Sequence, residues 1–393
     1  MPSYTRKPSH ELFPTKGPIK PSEMIGRSDE LASLVSQLSA GNHQIIVGPR
    51  RTGKTSVCDA AIDQLRTKKA YVVSVDLFEV ESLATLSELI ALRAISNRPA
   101  VKKVLPALRR ASARVGQAAQ MSATLKHEFG TDIEFAFAPL RSQKTASDQF
   151  NYSLSLLEKL AVADGRHIVL YLDEFQEIES AGHRFGDPDL ITKKMRAILQ
   201  RSPHVTCLFA GSIEHMLRQL FATKTRAMYQ FGGFFTLAPI SIDAWIVGLR
   251  KSLRDDATSI TDAALTLLLE TSAGAARATM LLAQQSHVVA VEKGLFTIDA
   301  TEVFQGIDYA MAAEQPAHES ELVRIRGMRA HAVSIAQRVA RAEQPYGAKL
   351  DAKQVGRALE SLRNSGLAVQ VKAGEWQLVD PLFRKYLERF PAA

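Results

Sequence analysis

The stretch "VGPRRTGKTSVCDA" places Gly48, Gly53, Lys54 and Thr55 in the order G-x-x-x-x-G-K-[ST], between an apolar strand and a helix. Few other patterns constrain a fold as strongly. The glycines let successive backbone N–H groups point inward at phosphate oxygens, and the following helix turns its positive end to the same anion. Lys54 suits the β- and γ-phosphates as a compact charge, and the Thr55 hydroxyl can ligate Mg²⁺. The expected nucleotide cradle is thus the loop Gly48, Pro49, Arg50, Arg51, Thr52 and Gly53 with Lys54, Thr55 and Ser56.

"HIVLYLDEF" supplies the companion motif. Its apolar run places Asp173 at the C-terminal end of a buried strand, where ligands sit in open α/β sheets. Asp173 can hold the Mg²⁺ shell, and Glu174 beside it can orient and deprotonate a water. The other reading is a pair of carboxylates at a solvated strand end. At the end of "FAGS", Ser212 reads equally as a contact to the γ-phosphate or the attacking water, or as the N-cap of the next helix.

Around these motifs, near-continuous apolar strands ("HQIIVG", "AYVVSVDL", "HVTCLFAGS", "GGFFTLAPIS") alternate with helical segments, which predicts a parallel sheet covered on both faces. Ser28 or Asp29 is placed to cap the helix before the first strand. Residues 242–312 read as all-helical, "DYAMAAEQPAHES" as a linker, and a helix as starting near Glu321. Residues 1–21 read as a basic, proline-punctuated flexible tail, with no apolar region of the kind a signal peptide carries. No window approaches the apolar length of a membrane span. The two cysteines, Cys58 and Cys207, suggest neither a disulfide framework nor a metal site, which fits a reducing, cytoplasmic setting. The net charge of +8 leans toward polyanionic partners.

"IGRSDEL", "GPRRTGKTS", "LDEFQ", "FAGS" and "VDPLFRKYL" together resemble the archaeal-type ATPase family, of the STAND branch of P-loop NTPases and close to the AAA+ proteins. The resemblance runs from about Pro21 to Phe390. It implies ATP and Mg²⁺, and a three-layer α/β parallel-sheet P-loop NTPase domain over residues 22–241, carrying an insert at about 90–145. A helical lid would follow over 242–312, and a C-terminal winged helix over 313–393. It also implies that the strand before Ser212 lies between the other two motif strands, that Gly26 and Arg27 lie near the nucleotide base, and that Arg50 and Arg51 are part of a loop signature facing solvent or a neighbouring domain. "GAARATMLL" resembles a sensor-2 helix, making Arg277 either a γ-phosphate sensor or a surface arginine lying along its helix. Relatives often carry a Gly-Arg pair before the last strand. Here Gly232-Gly233 stands there, and Arg226 is the nearest substitute.

Within the C-terminal segment, Val355, Ala358, Leu359 and Leu362 form a buried stripe, and a hairpin turns near Ala373-Gly374. Lys353, Arg357, Arg363 and Lys372 lie opposite, an arrangement open to DNA or to protein docking. The basic insert "NRPAVKKVLPALRRASARVG" lacks aromatic stacking residues, which favours a solvated helical hairpin over a polyanion-binding arm. The expected activity is ATP hydrolysis with Glu174, Lys54, Ser212 and Arg277 at the reacting end, switching engagement of DNA or a protein partner. Self-assembly into a homo-oligomer and a soluble, non-membrane setting are compatible with it. The alternatives are a slow nucleotide-dependent switch working through protein contacts and, behind it, a small-molecule kinase.

Overall fold

Apolar alternation decides which side of the sheet each strand residue faces. In β3 (Ile168–Asp173), Ile168, Leu170 and Leu172 enter one hydrophobic core, while Val169 and Tyr171 enter another on the opposite face. That period of two, apolar on both sides, is how a sheet buried between helices is built. The computed structural model describes residues 6–15, 17, 19–48, 52–98, 143–179, 184–347 and 350–389. In chain order α1 (Ser9–Leu12) and α2 (Ser28–Ser39) lead to β1 (Gln44–Val47), α3 (Lys54–Thr67) and β2 (Tyr71–Asp76). Then come α4 (Leu83–Ile95), α5 (Ala146–Asp164), β3, α6 (Pro188–Leu199), β4 (Val205–Phe209), α7 (Glu214–Ala222) and β5 (Gly233–Thr236).

The five strands are parallel in the order β2-β3-β4-β1-β5. Helices α2 and α3 cover one face, and α4, α5 and α6 the other. This is the parallel sheet covered on both faces that the alternation predicts, and the three-layer P-loop NTPase fold that the resemblance implies. The strand order puts β4 between β1 and β3, so the residues following all three strands meet at one edge.

A second core is built by α8 (Ile242–Arg254), α9 (Asp262–Ser272), α10 (Ala276–Glu292) and α11 (Ala300–Arg326). It is not all helix: two-residue strands, β6 (Ser259–Ile260) and β7 (Thr297–Ile298), pair in parallel between helices. A third core holds α12 (Ala332–Ala340), α13 (Ala352–Asn364), the antiparallel hairpin of β8 (Ala368–Lys372) and β9 (Glu375–Leu378), and α14 (Pro381–Glu388).

Several expectations are corrected. The linker expected at 308–320 lies inside α11, and the expected boundary at 312/313 falls within the same helix. Buried Ile307, Ala310, Met311, Glu314, His318 and Leu322 continue one helical stripe through Pro316, so packing outweighs the proline. The helix expected from Glu321 is the end of α11, and helix resumes at Ala332. Residues 6–15 are no loose tail: Leu12 and Phe13 are buried in the second core. Polar contacts fix the same segment, with the Lys7 N–H donating to Asp256 at 2.6 Å and Ser9 Oγ lying 2.8 Å from His287 Nδ1. Helix α2 starts at Ser28 with Arg27 in the cap position, so neither Ser28 nor Asp29 caps it. Most of the basic insert lies outside the described residues. Among the described residues no helix is long and apolar enough to cross a membrane, and both cysteines are buried and free.

Candidate nucleotide site

The cleft at the sheet edge has a volume of about 470 Å³. Its floor is the first turn of α3, where Gly53 holds φ +89°, a left-handed conformation that lets the loop turn straight into the helix. Lys54, Thr55 and Ser56 follow and line the cleft. The Lys54 side chain is only 8 % exposed, and its Nζ donates to the Gly48 carbonyl at 2.8 Å. Burial pushes its pKa down to about 8, against the upward pull of Glu174, Glu214 and Asp173. Pro49, Arg50 and Arg51 lie outside the described residues.

Asp173 and Glu174 end β3 at the opposite wall. Asp173 accepts from the Tyr171 hydroxyl at 2.7 Å and from the Glu174 N–H at 2.9 Å. Burial nevertheless raises its pKa, and the charges of Glu174 and Asp76 add to the rise. A buried carboxylate held this way gains from a nearby cation. Thr55 lines the same cleft, and a hydroxyl and a carboxylate are oxygen ligands of the kind Mg²⁺ accepts beside water and phosphate. A buried ammonium with lowered pKa beside a carboxylate with raised pKa is a donor set that fits a magnesium nucleotide.

Glu174 has φ +49°, rare for a residue with a side chain. Its carboxylate accepts from the Ser212 hydroxyl at 2.8 Å, from the Ser212 N–H at 3.2 Å and from the Gln176 side-chain amide. Helix α7 begins at Glu214 with Ile213 in its cap position, so Ser212 does not cap it and is bonded to Glu174 instead. Arg277, in the first turn of α10, reaches the cleft from the second core and pairs with both carboxylate oxygens of Glu314, each at 2.7 Å. It is therefore not a loose surface arginine.

Gly26 and Arg27 do not line this cleft. The buried Arg27 guanidinium donates to Glu30, to the Ala238 carbonyl and to the Thr52 carbonyl, at 2.7, 2.8 and 3.1 Å. It thus ties the nucleotide loop to the segment after β5. Gly26 has φ +62°, and a Cβ there would come within 2.8 Å of Ala244. Arg226 is engaged by Glu179 and Asp189, at 2.9 and 3.0 Å. Sequence reasoning missed the cleft's third wall, formed by Pro14, Thr15, Gly17 and Ile19, with the Ile19 N–H bonded to Ser56 Oγ at 3.1 Å. The signal was the apolar pair Leu12-Phe13 inside a polar stretch. It also gave no part to Tyr171 and Glu314, which carry no motif, or to Gln176, the last residue of "LDEFQ"; they bond to Asp173, Arg277 and Glu174 respectively.

Residues 23–193 match the family model described as an AAA ATPase domain. No curated protein matches the chain in sequence. Among solved structures it is similar to the Walker-type ATPase of Pyrococcus abyssi, with a TM-score of 0.68, 14% identity, and coverage of 96% of this chain and 99% of that one. It is also similar to the ORC2 protein of Aeropyrum pernix, solved as ADPNP–ADP complexes, with a TM-score of 0.58, 15% identity, and coverage of 97% and 96%. Residues 23–193 thus match an AAA ATPase domain within a P-loop NTPase fold, and the likeness to the solved structures extends over the two smaller cores as well.

Proposed function

We propose that this chain is an ATPase whose nucleotide cycle, run with Mg²⁺, switches the engagement of its C-terminal module with duplex DNA. The observation that carries the nucleotide reading is the convergence of Lys54, Thr55, Asp173, Glu174, Ser212 and Arg277 on one cleft. Thr55 and Asp173 would hold Mg²⁺, which when bound neutralises charge on the phosphates. Lys54, released from the Gly48 carbonyl, meets the β- and γ-phosphates. Glu174 orients a water and takes its proton, while Ser212 fixes the carboxylate that does so. Arg277 supplies a further cation at the γ-phosphate. The complexed state of the Aeropyrum pernix structure favours an adenine nucleotide.

The DNA half of the proposal rests on the C-terminal module. We read the order α12, α13, hairpin, α14 as a winged helix, with α13 as its recognition helix and β8–β9 as its wing, a reading supported by the antiparallel hairpin that follows two helices. Lys353, Arg357 and Lys372 are exposed, whereas Arg363 is paired with Glu360 at 2.7 Å and is the least available. A cation already paired to a carboxylate gains less from a phosphate. The test is the ATPase rate with and without duplex DNA in wild type, Lys54→Ala and Glu174→Gln, with binding anisotropy followed against salt. Stimulation in wild type alone and a steep loss of binding with salt support the proposal. No binding at low salt removes its DNA half.

A second reading is a slow switch read by a protein partner, with occupancy rather than turnover as the signal. The clasp on Glu174 by Ser212 and Gln176 favours it, because a carboxylate so engaged must be freed before it activates water. Glu174→Gln distinguishes the two readings: a trapped, DNA-engaged complex supports the first, and unchanged behaviour supports the second.

A further inference from the structure

We propose that Arg277 is a shared cation, held by Glu314 when the cleft lacks a γ-phosphate and given up to the phosphate when ATP binds. Its transfer would loosen α11 and the C-terminal module from the lid. The proposal rests on the nucleotide reading of the cleft. Each terminal nitrogen of the Arg277 fork meets a different Glu314 oxygen at 2.7 Å, so one carboxylate occupies the geometry with which a guanidinium binds phosphate. Arg277 lines the cleft wall, but Glu314 does not. The fork cannot serve both anions in this bidentate form. A triphosphate beside Lys54 competes for it with more charge than a single carboxylate.

Three features connect that exchange to the C-terminal module. Glu314 is largely buried, with its side chain 11% exposed, so losing a bidentate cation leaves it in surroundings that favour movement toward water. Pro316, two residues on, contributes no backbone N–H to α11 and marks the point where that helix gives most easily. Beyond it, His318 stacks near the rings of Phe383 and Tyr386 of α14, with centroids 5.6 and 5.1 Å away, and Leu322 and Ile325 belong to the C-terminal core.

Asp380 sits on the far side of the same junction. Its carboxylate caps α14 by accepting from the N–H groups of Leu382 and Phe383 at 2.9 and 3.3 Å. The hydrogen bonds that Arg277 donates to Glu314 raise its pKa above its ordinary value against the effect of burial, and the charges of Glu314 and Asp380 add to the rise. Arg277 thus pairs with Glu314 of α11 and lies in the field of Asp380 at the start of α14. Leu382 of α14 is buried in the lid core and Phe383 in the C-terminal core, so α14 clips the two together. Drawing the guanidinium into the cleft takes the paired cation from Glu314 beside that clip.

The experiment measures affinity for a non-hydrolysable ATP analogue and for ADP, together with amide hydrogen exchange over α11 and α14, in wild type, Glu314→Gln, Arg277→Gln and Lys54→Ala. The analogue, but not ADP, should raise exchange over residues 314–326 and 381–388 of wild type. Glu314→Gln should bind the analogue on the order of tenfold tighter and show that exchange pattern without nucleotide, because the competing state is gone. Arg277→Gln should bind analogue and ADP alike. If Glu314 were only a brace for the lid, Glu314→Gln would weaken binding or leave it within twofold of wild type, and that result overturns the exchange while leaving the nucleotide site intact. Failure of wild type to bind the analogue, or equal binding by Lys54→Ala, overturns the nucleotide reading itself and the exchange with it.

Discussion

Binding of ATP should be accompanied by proton uptake at Lys54. Burial holds the ammonium at a pKa of about 8 in the nucleotide-free protein, well below its usual 10.5. A bound polyphosphate keeps it charged. At a pH of about 8.5 the free protein would carry Lys54 roughly three-quarters neutral, so each ATP bound takes up about 0.75 proton, against about a tenth near pH 7. Calorimetric titration in two buffers of different ionisation enthalpy reads this directly, because the apparent enthalpy then differs by the uptake times the buffer difference. The sign for stability follows from the same shift. Between pH 8 and 10.5 the folded protein binds fewer protons at this site than the unfolded chain, so stability rises with pH across that window. Below it, the charged, buried Lys54 costs on the order of 3 kcal/mol, from the shift at about 1.4 kcal/mol per pH unit. Lys54→Met should therefore raise the denaturation midpoint of the nucleotide-free protein at neutral pH, although it destroys binding. Equal enthalpies in both buffers at the higher pH, or a Lys54→Met variant less stable than wild type, would refute the reasoning.

Ser212→Ala removes a hydrogen bond to the Glu174 carboxylate and should lower kcat about tenfold with ATP affinity within about twofold; unchanged turnover would deny Ser212 any part in the reaction. Phe13→Ala empties a fully buried site in the second core and should cost about 3 to 4 kcal/mol of stability. Because Pro14, Thr15, Gly17 and Ile19 form a cleft wall, the same change should weaken ATP binding severalfold at temperatures where the protein stays folded, and undiminished affinity would remove that wall from the site.

The sheet and the two nucleotide motifs were legible because each leaves a local trace. Apolar strands alternate with helices, two glycines bracket a turn before Lys54, and a carboxylate pair ends an apolar run. The place of β4 between β1 and β3 came from the resemblance and holds in the structure. Two kinds of feature were not legible. Pro316 and a run of small polar residues read as a linker, because composition cannot show that Ile307, Met311 and Leu322 share one buried stripe. The N-terminal segment reads as loose because its anchors lie far along the chain, at Asp256, Gln284 and His287. Arg27 was expected near the nucleotide base, and the sequence did not show that its guanidinium donates to the Thr52 carbonyl. A motif identifies a residue without showing the direction its side chain takes.

The central claim is that Glu174 activates water for hydrolysis of a nucleotide held by Lys54. The measurement that tests it most directly is the rate of ATP hydrolysis with Mg²⁺ in wild type and Glu174→Gln, with nucleotide affinity determined on the same samples. The account predicts that the substitution lowers kcat by about a hundredfold or more while affinity stays within about threefold of wild type. Hydrolysis by Glu174→Gln at the wild-type rate would contradict it.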